Sequence, residues 1–554
     1  MNRILNCFSS ATLALTLLAG CSSDSSSEGP VPPPAGEGNI CGYVRCDGRG
    51  IAGVAVSDGA NVVKTDAEGY YSFTSDLSSA DFVRISVPSG YETARDGILP
   101  TFYAAIDPAE PGTQRFDFDL TAADNTRHLL LVMADVHISG RKPGYPNDSG
   151  TVVAELDAKQ CRERFVPALA AHAASAPAGY RVYGLNLGDM THSEYWYSKN
   201  YSFPQYIEAM KDVDFPVFHA IGNHDYCHKV ADDTADAQYK AALGPTYYSF
   251  NLGRIHYIVL DDMIYKGSNA YDTRIDDRQM EWLRKDLAAT DPAVRDVVVA
   301  MHVPTVNGLQ TDGSYKKALG NFDEFYALFA DYNLTVMSGH WHHAHSVRIS
   351  DKASEYILPA ACGTWWYKLL CNDGTPAAFA ACTVNGTSMS RRIVPIGDEY
   401  AAERYRVYNK GVTTNTGTVA PGTASDPAGG SPAVLVNLWE MRPDWTFDCY
   451  ENGVQTSGRL TRVARYDPIH RDFCNQGLIG WQRYSWCATV RTADHWLQYV
   501  PANPAAAIRI TVTDQKGALL HVIDTKIENR PALGCGRCHI SDGICHQPSF
   551  DPAD

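Results

Sequence analysis

Residue types that bind metals follow five of the predicted strands in the middle of the chain. These strands are the short apolar segments at 129–134, 182–187, 217–221, 297–301 and 334–337. In order, they run into Asp-Val-His, Gly-Asp-Met-Thr-His, Gly-Asn-His-Asp, a single histidine and Gly-His-Trp-His. Segments with helical periodicity alternate with the strands and predict a layered α/β architecture; they lie at 154–174, 205–213, 278–287 and 322–332. Because the carboxyl ends of such strands meet at one edge of a sheet, the motifs are predicted to form one site.

The motifs together supply carboxylate, amide and imidazole groups. Their polar residues are Asp135, His137, Asp189, His192, Asn223, His224, Asp225, His302, His340 and His342. A mixed set of oxygen and nitrogen ligands suits a divalent transition metal better than calcium, which prefers oxygen. Gly188, Gly222 and Gly339 each precede a candidate ligand, where the missing Cβ permits a tight turn. The sequence therefore predicts a transition-metal site.

The ordered series Asp-x-His, Gly-Asp-x-x-His, Gly-Asn-His-Asp, His and Gly-His-x-His resembles the calcineurin-like metallophosphoesterase superfamily over residues 127–348. The resemblance implies a four-layer α/β/β/α core and two divalent metal ions: manganese, zinc or iron. One subset, the purple acid phosphatases, has a tyrosine where this chain has His192, which disfavours a ferric–tyrosinate site. The resemblance implies a first metal bound by Asp135, His137, Asp189 and His342. It implies a second metal bound by Asp189, Asn223, His302 and His340, so that Asp189 bridges the two.

The same resemblance implies a dinuclear metallophosphoesterase that hydrolyses phosphate esters. A hydroxide bridging the metals would attack phosphorus in line, and His224 would be the general acid, oriented by Asp225. The residues expected to line the substrate pocket are His192, Tyr195, Trp196, Trp365 and Trp366. The aromatic rings among them would stack on the leaving group, although packing in the core explains them equally well.

The formal net charge of −16 excludes a general nucleic-acid-binding role, because phosphate backbones require a basic surface. A phosphorylated substrate must instead meet locally concentrated positive charge, which bound metal ions supply. We expect that substrate to be a small molecule, a glycan or a lipid. Two alternatives stay open: a phosphodiesterase or pyrophosphatase acting on nucleotides or sugar nucleotides, and a surface binding lipoprotein with a vestigial catalytic core. The sequence does not fix the oligomeric state.

The N-terminus has the features of a bacterial lipoprotein signal peptide at 1–20. Arg3 precedes the apolar segment 13–18, and the following Ala-Gly-Cys resembles a lipobox in which Cys21 is the lipidated residue. Residues 21–38 are rich in Ser, Gly and Pro and predict a flexible tether. These features predict an exported protein of the cell envelope, anchored by lipid to the membrane, with the outer membrane expected.

The rest of the chain divides into three predicted domains. Short β segments separated by turn signals predict a transthyretin-like or immunoglobulin-like β-sandwich at 39–121. The calcineurin-like metallophosphoesterase domain is predicted at 127–396, and a C-terminal β-sandwich accessory domain at 397–554. The expected fold class is therefore multidomain α/β plus β, with the four-layer core flanked by two sandwiches.

Export also permits disulfides. Of the 15 cysteines, Cys7 lies in the signal peptide and Cys21 is reserved for lipid, which leaves an odd number for pairing. The local candidates are Cys41 with Cys46, Cys362 with Cys371, and the cluster Cys535, Cys538 and Cys545.

Overall fold

The computed structural model describes residues 38–146, 152–230, 232–367, 369–397, 404–409, 433–475, 488–527, 540–541 and 544–545. The predicted signal peptide, the lipidation of Cys21 and the predicted tether up to residue 37 lie outside the described residues, as do Cys535 and Cys538. No helix within the described ranges is long and apolar enough to cross a membrane.

Two small sheets make up the N-terminal part of the described chain. In the first, the strand order is Gln114–Arg115, Ile40–Cys46, Phe118–Ala122 and Tyr91–Thr93, with Arg49–Gly50 and Tyr70–Phe73 also paired to Ile40–Cys46. In the second, the order is Tyr103–Ala105, Phe82–Ile85, Ala55–Ser57 and Val62–Lys64. Apolar residues of both sheets, such as Val44 and Val83, share one buried cluster, so this part is a sandwich.

The core contains a first sheet of five strands. Their order is Val217–His219, Arg181–Asn186, Arg127–Met133, Ala378–Asn385 and Ser388–Pro395. The first three strands are parallel, and the last two pair antiparallel. The three parallel strands lead into the Asp-Val-His, Gly-Asp and Gly-Asn-His-Asp motifs.

The core also contains a second sheet of six strands. Their order is Tyr248–Leu252, Ile255–Val259, Asp296–Ala300, Asn333–Ser338, Ala353–Ile357 and His345–Arg348. The four inner strands are parallel, and both edge strands are antiparallel. Two inner strands lead into His302 and the Gly-His-Trp-His motif, so both sheets deliver motif residues.

Alternate residues of the central strands face different layers, as the pleat of a strand requires. Leu130 and Val298 belong to a buried cluster shared by both sheets, whereas Leu131 and Val299 belong to the clusters beneath the helices. Helices pack on the outer face of each sheet. On the first sheet these are Val166–Ala174, Phe203–Ala209 and Ala237–Leu243, and on the second Asp277–Ala289 and Phe322–Ala327. The predicted four-layer α/β/β/α core is confirmed.

Two antiparallel sheets of four strands form the C-terminal part. One has the order Tyr405–Asn409, Val434–Leu438, Trp496–Tyr499 and Leu460–Arg462, and the other has Val454–Thr456, Thr446–Glu451, Ala507–Thr513 and Leu519–Lys526. Val436 and Ile510 from the two sheets share one buried cluster. The multidomain α/β plus β fold class is thereby confirmed, whereas the domain limits at 121, 127 and 397 stay predictions.

The predicted helix at 154–174 is broken into three pieces. Asp157–Gln160 and Val166–Ala174 are α-helical, and Cys161–Phe165 between them forms a π turn. Pro167 at the start of the later piece has no N–H to donate to the preceding turn, which favours such an irregularity. The periodicity of apolar residues does not reveal this break.

Among the described side chains, Cys41, Cys46, Cys362 and Cys371 are free cysteines. Neither Cys41 and Cys46 nor Cys362 and Cys371 form the disulfide that their spacing suggested.

Candidate metal centre

Five of the seven candidate ligands have left-handed backbone angles. The angle φ is 55° at Asp135, 47° at His137, 56° at Asp189, 66° at His340 and 61° at His342. A residue other than glycine in this region stores about 1–3 kcal/mol of strain and persists where its surroundings hold it. One such restraint is the N–H of His137, which donates to the carbonyl of Asp189 at 2.9 Å. Strain is thus concentrated at the strand ends that carry the motifs.

Two motif glycines allow the loops to approach each other closely. A Cβ on Gly222 would lie 2.2 Å from the backbone nitrogen and from Oδ1 of Asp189. A Cβ on Gly188, where φ is 100°, would lie 2.7 Å from Nδ1 of His302. The absence of both Cβ atoms therefore leaves the space that the candidate ligands occupy.

Four candidate ligands direct their donor atoms towards one point. Nε2 of His137 lies 2.9 Å from Nε2 of His342 and 3.3 Å from Oδ2 of Asp189. Oδ1 of Asp135 lies 3.6 Å from Nε2 of His137 and 3.4 Å from Nε2 of His342. All four side chains are buried or nearly so. We call these residues the first donor group: Asp135, His137, Asp189 and His342.

A second set of donors surrounds Nε2 of His302. This atom lies 3.2 Å from Oδ2 of Asp189, 3.1 Å from Oδ1 of Asn223 and 3.3 Å from Nδ1 of His340. We call these residues the second donor group: Asp189, Asn223, His302 and His340. One oxygen of Asp189 therefore borders both groups, and the structure brings all seven candidate ligands together.

Hydrogen bonds fix the ring nitrogen that two of these histidines present. Nδ1 of His302 donates to the carbonyl of Leu187 at 2.8 Å, which directs Nε2 towards Asp189 and Asn223. The hydroxyl of Tyr271 lies 2.9 Å from Nε2 of His340, which leaves Nδ1 facing His302. Partners of this kind orient the imidazoles of metal sites. Tyr271 had no signal in the sequence, because its hairpin carries no motif.

The donor groups fit divalent ions in spacing and in chemistry. Ligand atoms that bind one ion at about 2.0–2.2 Å lie roughly 3–3.5 Å from one another, which is close to the spacing within both groups. Burial raises the pKa of Asp135 and of Asp189, but the neighbouring imidazoles lower both by more, so both carboxylates are ionised. Burial lowers the pKa of His137 to about 4 and that of His340 to about 3. Ionised carboxylates and neutral imidazoles are the forms that bind metals.

The electrostatics of His302 show that the centre attracts positive charge. Burial alone would lower the pKa of this histidine, but the carboxylates of Asp189, Asp135 and Asp262 together outweigh burial and raise the pKa to about 10. The buried carboxylates therefore favour a cation at the place where the two donor groups meet.

His224 lies beside Asp189 and outside both donor groups. Its backbone N–H donates to Oδ1 of Asp189 at 2.7 Å, and its ring Nδ1 lies 3.2 Å from Oε2 of Glu194. The other oxygen of Glu194 accepts a hydrogen bond from Nδ2 of Asn269. Glu194 therefore orients the imidazole of His224. No sequence motif includes Glu194, although it is an acidic residue in the same loop as Asp189.

Asp225 does not have the orienting role that was expected for it. Its carboxylate accepts hydrogen bonds from the N–H groups of Met190, Thr191 and Gly222 at 3.2, 3.0 and 3.1 Å. Successive residues of a 3₁₀ turn, here Asn223–Asp225, point about 120° apart, which separates this side chain from its neighbour's ring. Asp225 therefore holds the loop of Met190 and Thr191 beside the loop of Gly222 through hydrogen bonds.

His192 packs against His224 and contacts the same glutamate. The two rings stack with centroids 4.1 Å apart, and Nε2 of His192 lies 3.1 Å from Oε2 of Glu194. Burial lowers the pKa of His192 well below its usual value. Burial would also lower the pKa of His224, but the charges of Asp189 and Glu194 raise it by more. The proton is therefore favoured on His224, as a general acid requires.

One predicted pocket tryptophan covers the first donor group. The ring of Trp365 has its centroid 4.2 Å from that of His137, 4.8 Å from that of His342 and 5.0 Å from that of His192. The ring of Tyr195 is also close to this group of rings, with its centroid 5.2 Å from that of His192. Trp365 and Tyr195 are thus adjacent to the centre, and their role in a substrate pocket stays a prediction.

The other two predicted pocket tryptophans are core residues. The indole N–H of Trp196 donates to Oγ1 of Thr191 at 2.9 Å, and that of Trp366 donates to the carbonyl of Val136 at 2.8 Å. Both side chains belong to the buried cluster between the first sheet and its helices. Their polar atoms are satisfied within the protein, so packing explains them.

The loop that carries the Gly-His-Trp-His motif is held by residues from much later in the chain. Oδ2 of Asp494 accepts the N–H of Ser346 at 3.3 Å, and its Oδ1 lies 2.6 Å from Nδ1 of His345. Asp373 accepts the N–H of Ala344 at 3.2 Å. The C-terminal part thus helps to fix this ligand loop, a contact that no local spacing in the sequence reveals.

Four layers and two carboxylate–imidazole donor groups at the strand ends define a metal-dependent hydrolase. A family model described as calcineurin-like phosphoesterase matches residues 128–344. Models for the N-terminal and C-terminal parts of calcineurin-like phosphoesterases match residues 38–123 and 355–519. The chain belongs to the calcineurin-like phosphoesterases, and it is a dinuclear metallophosphoesterase, a hydrolase of phosphoric esters.

Several solved structures are similar to about half of this chain. A dimetal phosphatase from Danio rerio is 14% identical, with 48% of this chain and 95% of that chain covered and a TM-score of 0.34. A sulfate thiohydrolase from Thermus thermophilus is 15% identical, with 50% and 58% covered and a TM-score of 0.31. A 5'-nucleotidase precursor from Thermus thermophilus is 14% identical, with 50% and 55% covered and a TM-score of 0.30. The chain thus spans little more than half of the last two. No curated protein sequence matches this chain.

Proposed function

We propose that the protein hydrolyses phosphate esters at a centre of two divalent ions, with His224 as the general acid. The observation that carries the proposal is Asp189, whose Oδ2 lies 3.3 Å from Nε2 of His137 and 3.2 Å from Nε2 of His302. Its other carboxylate oxygen accepts the N–H of His224. One carboxylate therefore borders both donor groups and holds the backbone of His224 beside them.

In this proposal each donor group binds one ion, and Asp189 is shared. The metals are manganese, zinc or ferrous iron, since imidazole and carboxylate donors suit all three. When bound, two such ions would lower the pKa of a coordinated water and stabilise negative charge on the phosphoryl oxygens. The two donor groups hold just two carboxylates, so a pair of divalent ions leaves this pocket positive although the chain carries −16.

The chain's own residues position the acid. Asn269 holds Glu194, and Glu194 holds Nδ1 of His224, so the opposite ring nitrogen is free to give a proton to the leaving oxygen. A positioned acid of this kind contributes typically about 10²–10⁴-fold to the rate. His192 and Trp365 flank this proton-donating ring, with ring centres 4.1 and 6.0 Å from its own.

Turnover of two model esters tests the proposal. Metal-free protein and protein given manganese, zinc or ferrous iron would be assayed with p-nitrophenyl phosphate and with bis-p-nitrophenyl phosphate. We expect nitrophenolate release that requires metal, and the faster ester separates a monoesterase from a diesterase. Folded protein that binds two metal ions and releases no nitrophenolate from either ester would count against the proposal.

A further inference from the structure

The loop that follows His137 fixes Arg141 in one position. The buried carboxylate of Asp157 accepts the N–H groups of Ser139, Gly140 and Arg141 at 2.9, 3.1 and 3.2 Å. The same carboxylate accepts the hydroxyl of Ser139 at 2.8 Å, and this hydroxyl oxygen accepts Nε of Arg141 at 2.6 Å. The direction of the guanidinium is therefore set before any ligand arrives.

The guanidinium of Arg141 pairs with Asp157 through Nε, which lies 3.8 Å from Oδ2, but its Nη2 has no acceptor in the described part of the chain. Its central carbon lies 5.2 Å from the ring centre of Tyr195 and 5.3 Å from that of Trp365. The Nη2 atom is buried, and it finds no hydrogen-bond acceptor among the residues that the structure describes. A buried donor without an acceptor is costly, and a guanidinium fork matches the oxygens of a phosphate. The arrangement points to an anionic ligand.

The surroundings of Arg141 indicate which anion it meets. The indole of Trp365 contacts both this guanidinium and the imidazoles of His137 and His342, whose ring centres are 4.2 and 4.8 Å from the indole. Arg141 and the first donor group therefore share one aromatic neighbour, and Arg141 belongs to neither donor group. A second phosphoryl group, attached to one that the donor groups hold, would be the group that meets this guanidinium.

We propose that Arg141, Tyr195 and Trp365 form a subsite for a second phosphoryl group, so that the enzyme takes phosphoric anhydrides such as nucleoside diphosphates. This inference rests on the proposed function, because the donor groups must hold the phosphoryl group that is attacked. In the reaction, oxygen from water bonds to the terminal phosphorus and the bridging P–O bond breaks. The bridging oxygen leaves with the bonding electron pair on the second phosphoryl group, and the two protons of water pass to the products.

Competition against p-nitrophenyl phosphate tests the subsite. Inhibition constants of ADP and AMP would be measured with metal-loaded full-length protein at constant free metal concentration, in the wild type, Arg141→Gln and Arg141→Lys. We expect ADP to inhibit the wild type more strongly than AMP. Loss of one charge-assisted hydrogen bond in Arg141→Gln should raise the inhibition constant of ADP by about 10- to 100-fold. The inhibition constant of AMP should stay within about 2-fold of its wild-type value. The ADP inhibition constant of Arg141→Lys should lie between those of the wild type and Arg141→Gln, since lysine keeps the charge but loses the two-pronged geometry of the guanidinium.

The control is Arg348→Gln, which removes an exposed guanidinium paired with Asp351 and should change neither constant. The subsite would be overturned if Arg141→Gln raised the inhibition constants of ADP and AMP equally, or left that of ADP unchanged. It would also be overturned if ADP inhibited the wild type no more strongly than AMP. A wild type without turnover of p-nitrophenyl phosphate would instead refute the proposed function. Calorimetric binding of ADP that depends on Arg141 would then still support the subsite, and binding that does not depend on it would overturn it.

Discussion

Asp189→Asn is expected to reduce phosphate ester hydrolysis by about 1,000-fold or more and to remove bound metal. The carboxylate is almost fully buried, and its Oδ2 lies 3.3 Å from Nε2 of His137 and 3.2 Å from Nε2 of His302. An amide keeps the shape of the side chain but loses the charge that both donor groups share. A loss of about 4 kcal/mol in transition-state stabilisation corresponds to roughly 10³-fold in rate.

The measurement is metal content by mass spectrometry together with turnover of p-nitrophenyl phosphate. Asp351→Asn is the matched control, since its side chain is 96% exposed and paired with Arg348 on the surface. It should match the wild type in both assays. An Asp189→Asn protein that retains two metals and wild-type turnover would show that this carboxylate does not connect the two donor groups.

His224→Ala is expected to lower turnover of an alkyl phosphate such as glycerol 2-phosphate by about 10²–10⁴-fold, because the departing alkoxide needs a proton. The fall for p-nitrophenyl phosphate should be much smaller, because nitrophenolate is stable without one. Metal content should stay at the wild-type level, since the side chain lies outside both donor groups. The ratio of the two losses is the measurement that separates acid catalysis from general damage.

His521→Ala is a suitable control, because this histidine lies on a strand of the C-terminal sandwich. Both substrates should be turned over normally by it. Equal losses on both esters in His224→Ala would mean that the imidazole supports the site without protonating the leaving group.

The sequence predicted the layered core because its signals are local. Alternation along a strand decides which side chains face the second sheet and which face the helices, as Leu130 and Leu131 show. The candidate ligands were predictable for the same reason: each follows directly after a strand, and parallel strands bring their carboxyl ends together. Geometry that a strand and its following turn determine can be read from residue order.

The roles that depend on contacts between loops were not predictable. The family resemblance implied that Asp225 orients the ring of His224, but the turn directs the two side chains apart, and Glu194 from another loop contacts the ring instead. Asp494 reaches the ligand loop across 148 positions of sequence. Trp196 and Trp366 resembled pocket residues by composition, but their indole N–H groups donate to Thr191 and to Val136 within the core. Such pairings depend on how loops pack, which residue spacing does not encode.

Diffraction from crystals loaded with manganese and measured at the manganese absorption edge would show whether the protein binds two metal ions. We expect two anomalous peaks about 3.5–4 Å apart, with Asp189 between them. One should contact the side chains of Asp135, His137 and His342, and the other those of Asn223, His302 and His340. A single peak, or peaks elsewhere in crystals of active protein, would contradict a two-metal centre.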